Sequence, residues 1–272
     1  MADENSYDPL EHFEASRAKL GEALEHAAGI SGGAIGIEHT GRQNRSLMVF
    51  SKMIAHGMSI EAVLGPFPSD GHRGGFLNHF SLIALARTVY DAALMTLYVA
   101  HLSSTEDQWN LRRHVLYLHD LCNRKRFLKP LTKIEPAVQP IDNSTYQRVR
   151  DDLTLKISLY GRKLGKNDKE ISELCTGQRV FVDGARGAAR LVGWDLNAYD
   201  FKQAFFSNWV HSHPVSFLRA NEQKISMVEA SDHQLAVSAL ALDTAWEATD
   251  ACNEVMSNFV GTIERDPLGP IE

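Results

Sequence analysis

An all-α fold is what this sequence predicts: a multi-helix bundle of about seven to nine helices, closed by a long C-terminal helix. Two observations point to it and a third agrees. Apolar residues recur at spacings of three and four along much of the chain. The strongest of these runs follow helix-start signatures, in which an Asp, Ser or Thr is followed three residues later by Glu or Gln. No segment alternates apolar and polar residues with comparable strength, so strands are not expected.

Asp8-Pro9-Leu10-Glu11 opens the first helix with an acidic cap, a proline at the first helical position and a glutamate three residues after the cap. Leu10, Phe13, Leu20, Leu24 and Ala27 follow at helical spacing, and the glycine-rich GISGGAIGIEHTG is expected to break the helix at Gly29. That segment has no Gly-Lys-Ser/Thr and no dinucleotide fingerprint, so it reads as a connector. A second helix is predicted over Asn44 to Leu64, ended by GPFPSDGHRGG, and a third over Phe76 to Leu102, apolar on nearly every side. Ser104-Thr105-Glu106-Asp107 starts a fourth, which is expected to run to about Leu128 and stop before Pro130. After the connector IEPAVQPIDN, Ser144 with Gln147 makes a capping box for a fifth helix to about Leu164. Shorter helices are predicted near Asp168 to Cys175 and Asp183 to Val192, and another over Asn197 to His211.

The last helix is capped by Ser231 with Gln234 three residues on. Leu235, Ala239, Leu242, Trp246, Thr249, Asn253, Met256, Val260 and Ile263 then form a coiled-coil-like seam. It fits packing inside the bundle or a homodimer through residues 235–263. With 272 residues and no stretch of linker composition, a single domain is expected, the N-terminal helices 8–64 and the C-terminal helix 231–264 packing on the middle of the chain.

Leu82 to Ala100 is long enough to span a bilayer, but Arg87 and Asp91 near its middle favour a buried helix and no membrane partner. The acidic start MADENSYDPLEHF lacks a signal sequence, and three separated cysteines, Cys122, Cys175 and Cys252, fit a reducing compartment, so a cytoplasmic protein is expected. The formal charge of −6 argues against a surface that attracts nucleic acid everywhere. It is unevenly placed, however. Seven basic residues between Arg112 and Lys133 against Asp120 alone give +6 there and leave −12 for the rest. Arg112, Arg113, Arg124, Lys125, Arg126 and Lys129 are therefore candidate nucleic-acid contacts, or else a solvated basic helix end.

Arg87 and Asp91 are four apart on an apolar helix, where charges need partners. Ser207 and His211 are also four apart, in FFSNWVHSHP, with Pro214 expected to end the helix. The two segments ALARTVYDAALMTLYVA and GWDLNAYDFKQAFFSNWVHSHPVSF resemble a bacterial family of helical proteins of unknown function. In that family an Arg-x-x-x-acid helix is followed by a Ser-x-x-x-His helix ending in proline. The resemblance covers roughly residues 76–220, has Asp91 where the family more often has glutamate, and implies that the two helices meet; it implies no reaction. Arg113 to His119 also has the Arg-to-His spacing of HEPN-type ribonucleases and abortive-infection proteins, a more distant resemblance.

Two functions follow as expectations. In a metal-independent ribonuclease of phage-defence type, His211 would be the general acid or base, Arg87 would hold the phosphate, and Asp91 and Ser207 would orient them, the basic segment guiding the RNA. In a non-enzymatic helical module binding a protein partner or small ligand, Arg87, Asp91, Ser207 and His211 would form a hydrogen-bonded structural network. No cofactor is expected, and with His211 and His213 two apart and no His-Glu-x-x-His, no metal site.

Overall fold

A computed structural model describes residues 7–65, 67–68, 71–135, 137–139 and 141–261. Among them the chain forms α1 (Pro9–Gly33), α2 (Gly41–Leu64), α3 (His79–Ala100), α4 (Glu106–Ile134), α5 (Asn143–Lys163), α6 (Asp168–Leu174), α7 (Gly184–Leu191), α8 (Leu196–Val210), a 3-10 turn (Pro214–Ser216) and α9 (Asp232–Phe259). The fold is all-α, and the long C-terminal helix is present. Gly74 and Glu229 form an isolated antiparallel bridge, and no strand is found among the described residues.

The caps explain most of the boundaries. Asp8 accepts from the Leu10 amide, and Thr40 with Gln43, Thr105 with Gln108, and Ser231 with Gln234 form capping boxes at α2, α4 and α9. Several ends differ from the sequence reading, among them those of α3, which runs His79–Ala100 where Phe76 to Leu102 is predicted, and of α9, which ends at Phe259. α1 continues through the glycines to Gly33, and α2 begins at Gly41 because Thr40 supplies its cap. α5 is capped by Asp142, which accepts from the Thr145 amide and the Ser144 hydroxyl, rather than by Ser144. α4 carries Pro130 within it and ends at Ile134; its backbone ladder resumes beyond the proline, with the Glu135 amide donating to the Leu131 carbonyl at 2.8 Å. Ile263 of the predicted seam lies outside the described residues.

Where the absence of a linker predicted one domain, the chain divides into two compact units, Met1–His101 with Asp195–Glu272, and Leu102–Trp194. The connections between them are short turns, one closed by Gly193 at φ 81°, and carry no linker composition. In the first unit α9 packs against α1 and α3, and α2 covers α3. Leu235, Leu242 and Met256 of the predicted seam are fully buried there, so much of that seam is used within the unit. α2 and α3 are each long and apolar enough to cross a membrane by length and composition alone; two thirds of the α3 window is buried within the protein. The second unit is built on α4 and α5, whose core includes Leu111, Val115, Leu118, Leu153 and Ile157, closed by Leu174 of α6.

Candidate functional site

The polar residues singled out on α3 and α8 lie in the first unit, where the two helices pack together. On α3, Ala86, Val89 and Tyr90 turn inward, which leaves Arg87 at the edge of the contact with its side chain 20% exposed. Its Nε donates to Asp91 Oδ2 at 2.8 Å, and a terminal nitrogen donates to the backbone carbonyl of Gln203 on α8 at 3.2 Å. Gln203 closes the triangle, its Nε2 donating to Asp91 Oδ1 at 3.2 Å. The Arg-x-x-x-Asp pair therefore meets α8, but at Gln203.

Two further contacts fasten α8 beside this triangle. The Tyr90 and Tyr199 rings stack with centroids 6.1 Å apart. Burial raises the Tyr90 hydroxyl well above its ordinary range, with Tyr199 and Glu247 adding to the effect, so it stays protonated. Burial also raises Tyr199, reinforced by Asp91. Lys202 pairs with Glu247 of α9 and stands 5.7 Å over the Tyr90 ring.

Ser207 and His211 take no part in this arrangement. Among the described residues no hydrogen bond joins the Ser207 hydroxyl to the His211 ring; what joins the two residues is the backbone, the His211 amide donating to the Ser207 carbonyl at 3.1 Å. The His211 side chain is exposed, its ring 5.7 Å from that of His213. Asn208 serves His213, with Oδ1 3.1 Å from its Nδ1. The backbone explains the whole stretch. Ser212 is in the left-handed region at φ 50°, its amide donates to the Trp209 carbonyl, and the His213 amide donates back to the Asn208 carbonyl at 2.8 Å. That is a Schellman closure with serine where glycine is usual, after which Pro214 starts the 3-10 turn. Gln203 and His211 are eight residues apart on α8, about 12 Å along its axis.

No family model, curated protein or solved structure matches the chain. The resemblances drawn from the sequence thus rest on their short motifs alone.

The basic segment belongs to the second unit and divides in two. Arg112 is buried, donating to Ser104 Oγ at 2.7 Å, and Arg113 donates to Asn110 Oδ1 at 3.0 Å, so both hold the start of α4. Beyond Leu121 the cations reach the surface: Arg124 pairs with Asp120 at 2.9 Å, Lys125 lies 3.6 Å over the Tyr146 ring, and Arg126, Lys129 and Lys133 are exposed. The spaced pair Arg113 and His119 is not assembled into a site. His119 is bonded to Asn123 one turn on, and six residues place the two side chains about 120° apart around the helix. Among the described residues no group of three or more His, Cys, Asp or Glu is placed to share a metal ion.

The sequence reading missed two features of the first unit. One is a cluster under the start of α3. His79 is buried, with Nδ1 3.3 Å from Gln234 Nε2, and its pKa falls to about 4, chiefly through burial, with nearby His233 acting in the same direction. The other is a row of rings. Phe201, Phe205 and Trp209 stand one turn apart on α8 with centroids 5.6 and 6.1 Å apart, and Trp209 continues to Phe80 of α3 at 5.9 Å. Phe201 is 52% and Phe80 39% exposed. The signal was present in DFKQAFFSNW, as aromatic residues at i, i+4 and i+8, beside the polar residues that drew attention.

Proposed function

We propose that this protein is a non-enzymatic helical binding module whose first unit offers the ring ladder of α8 to an amphipathic helix of a partner protein. The observation that carries the reading is the ladder itself, a row of rings spanning more than two turns of α8 with its first and last members open to solvent. Rings at one-turn spacing offer ridges for a helix presenting apolar anchors at i, i+4 and i+7, and aromatic residues are enriched at protein interfaces. Charge selects the occupant. The first unit's sequence holds 11 basic and 23 acidic residues, a balance of −12, which favours a helix with Lys or Arg on its flanks and opposes a second copy of the same face. The triangle of Arg87, Asp91 and Gln203 then serves to hold α8 in place.

What weighs against RNA cleavage by the predicted set is the commitment of Arg87 to Gln203, away from His211. One experiment covers both readings. Fluorescence anisotropy with a labelled Leu/Lys heptad helix and a Ser/Lys control should show binding of the first alone, weakened at least about tenfold by Phe80→Ser with Phe201→Ser. Incubation with structured and single-stranded RNA should show no turnover that distinguishes wild type from His211→Ala or Arg87→Ala. Equal binding of the two peptides, no binding of either, or cleavage lost in both variants would overturn the proposal.

A further inference from the structure

The second unit carries a surface of a different kind. No residue of α4 beyond Leu121 is buried, yet the helix continues for more than three turns to Ile134. Along that tail Phe127, Leu131 and Ile134 are 55%, 40% and 80% exposed. At 100° per residue they fall within an arc of about 60°. Leu118 and Leu121, which share a core with Leu153 and Ile157 of α5, and Lys125, which lies on Tyr146, are roughly on the opposite side. Arg124 stands about 20° beyond the apolar arc on one side and Arg126 and Lys133 about 80° and about 100° beyond it on the other, while Lys129 lies on the far side with Leu118 and Lys125. The unit as a whole holds 17 basic and 11 acidic residues, +6 in a chain of −6.

From this geometry we infer that the tail of α4, Arg124–Ile134, docks on an anionic phospholipid surface. An apolar stripe bordered by cations on both sides is the arrangement of a helix lying in the plane of a membrane interface, its apolar face sunk among the acyl chains and its cations at the headgroups. The charge fits an anionic surface, and the stripe separates lipid from nucleic acid: a phosphate backbone would use the cations and Phe127 but leaves Leu131 and Ile134 without a role. Asp120, the acidic residue next to the tail on α4, is already paired with Arg124. Hydropathy missed the surface because five cations, Arg124, Lys125, Arg126, Lys129 and Lys133, outnumber the three stripe residues. The inference is independent of the reading given for the first unit.

The test is co-sedimentation of the full chain with vesicles of phosphatidylcholine alone or with about one third phosphatidylserine. Two variants accompany it, Phe127→Ser with Ile134→Ser, which leaves the charge intact, and Arg126→Glu with Lys133→Glu, which reverses the flanking cations. Binding is expected to the serine-lipid vesicles alone, reduced at least about tenfold by either variant. Unchanged circular dichroism and melting would show that both variants fold, as the exposure of all four side chains leads one to expect. The proposal fails if wild type ignores both vesicles or binds them equally. It also fails if charge reversal abolishes binding while the apolar double variant binds like wild type, the pattern of a purely electrostatic contact such as RNA would make.

Discussion

Removing Arg87 tests whether the α3–α8 triangle is a latch at the edge of the packing or a sealed core network. Arg87→Ala deletes the bond to Asp91, whose side chain is 49% exposed; a half-solvated pair four apart on one helix contributes only about 0.5 kcal/mol. It also deletes the bond to the Gln203 carbonyl, worth about 1 kcal/mol, and the packing of the aliphatic stem. The Gln203–Asp91 bond and the Tyr90–Tyr199 stack survive. The expected loss is therefore about 1.5–2 kcal/mol, or roughly 3–8 °C in melting temperature for a chain of this size. Calorimetry of Arg87→Ala, Asp91→Asn and the double variant would measure it, with a coupling energy near 0.5 kcal/mol expected for the pair. A loss above about 4 kcal/mol would place the charge in a sealed interior, and no loss would remove the latch; either result refutes the argument.

Three further outcomes follow from the structure. Ser212→Gly should stabilise the protein by up to about 1 kcal/mol, because glycine takes the left-handed φ of 50° without the side-chain penalty; a lower melting temperature would show that the serine is needed for another reason. The His79 pKa of about 4 lies below its unfolded value near 6.5, so the unfolded chain binds the extra proton between them. Its contribution is present above about pH 6.5 and is lost as the pH falls towards 4, about 1.4 kcal/mol being gone by pH 5.5; denaturant titrations of wild type and His79→Gln should show the smaller acid loss in the variant. Gly177→Ala in the second unit should cost about 2–4 kcal/mol, since φ is 74° and an added Cβ would stand 2.4 Å from Cys122 Sγ; urea unfolding that shows less than about 1 kcal/mol would contradict the crowding.

The helices were legible in the sequence because their caps are local chemistry. Ser231 with Gln234 lies within four residues and needs no tertiary partner to be recognised, and the polar start Ser104-Thr105-Glu106-Asp107 marks α4, whose box the structure assigns to Thr105 with Gln108. The ends that were misplaced depend on more than a motif. Pro130 removes one amide bond, but the long run of helix from Glu106 that precedes it carries α4 through the proline for about one more turn, to Ile134. Ser144 looked like a cap until the Asp142 carboxylate, a stronger acceptor, took that role. The division into two units was hidden because the chain crosses between them in short, ordinary turns. For the site, the pairing of Arg87 with Asp91 follows from four-residue spacing, and the packing of α3 on α8 agrees with the segments singled out. Their register was not readable: whether α3 meets α8 at Gln203 or at Ser207 and His211 depends on how the helices slide against each other, which no one-dimensional spacing records.

The buried polar side chains of the first unit give a reason for that difficulty. Arg42 Nε donates to the Val99 carbonyl at 2.8 Å and its terminal nitrogen to the His101 carbonyl at 2.6 Å, at the C-terminal end of α3. Its neighbour Gln43 belongs to the capping box of α2 and also donates to the carbonyl of Phe259, the last residue of α9, at 2.8 Å. One turn of α2 thus satisfies carbonyls at the ends of two other helices. Every helix leaves its last four carbonyls without an internal partner, so an all-α protein with long buried helices must supply donors from elsewhere. A polar residue in an apolar run of such a chain is accordingly more often answering a backbone than a substrate. The His211 region obeys the same logic with backbone alone, the amides of Ser212 and His213 closing α8 while the imidazole is left in solvent. A residue that marks chemistry in this fold should therefore be sought among side chains with no helix end to serve, and the open rings of α8 and the apolar stripe of α4 meet that condition.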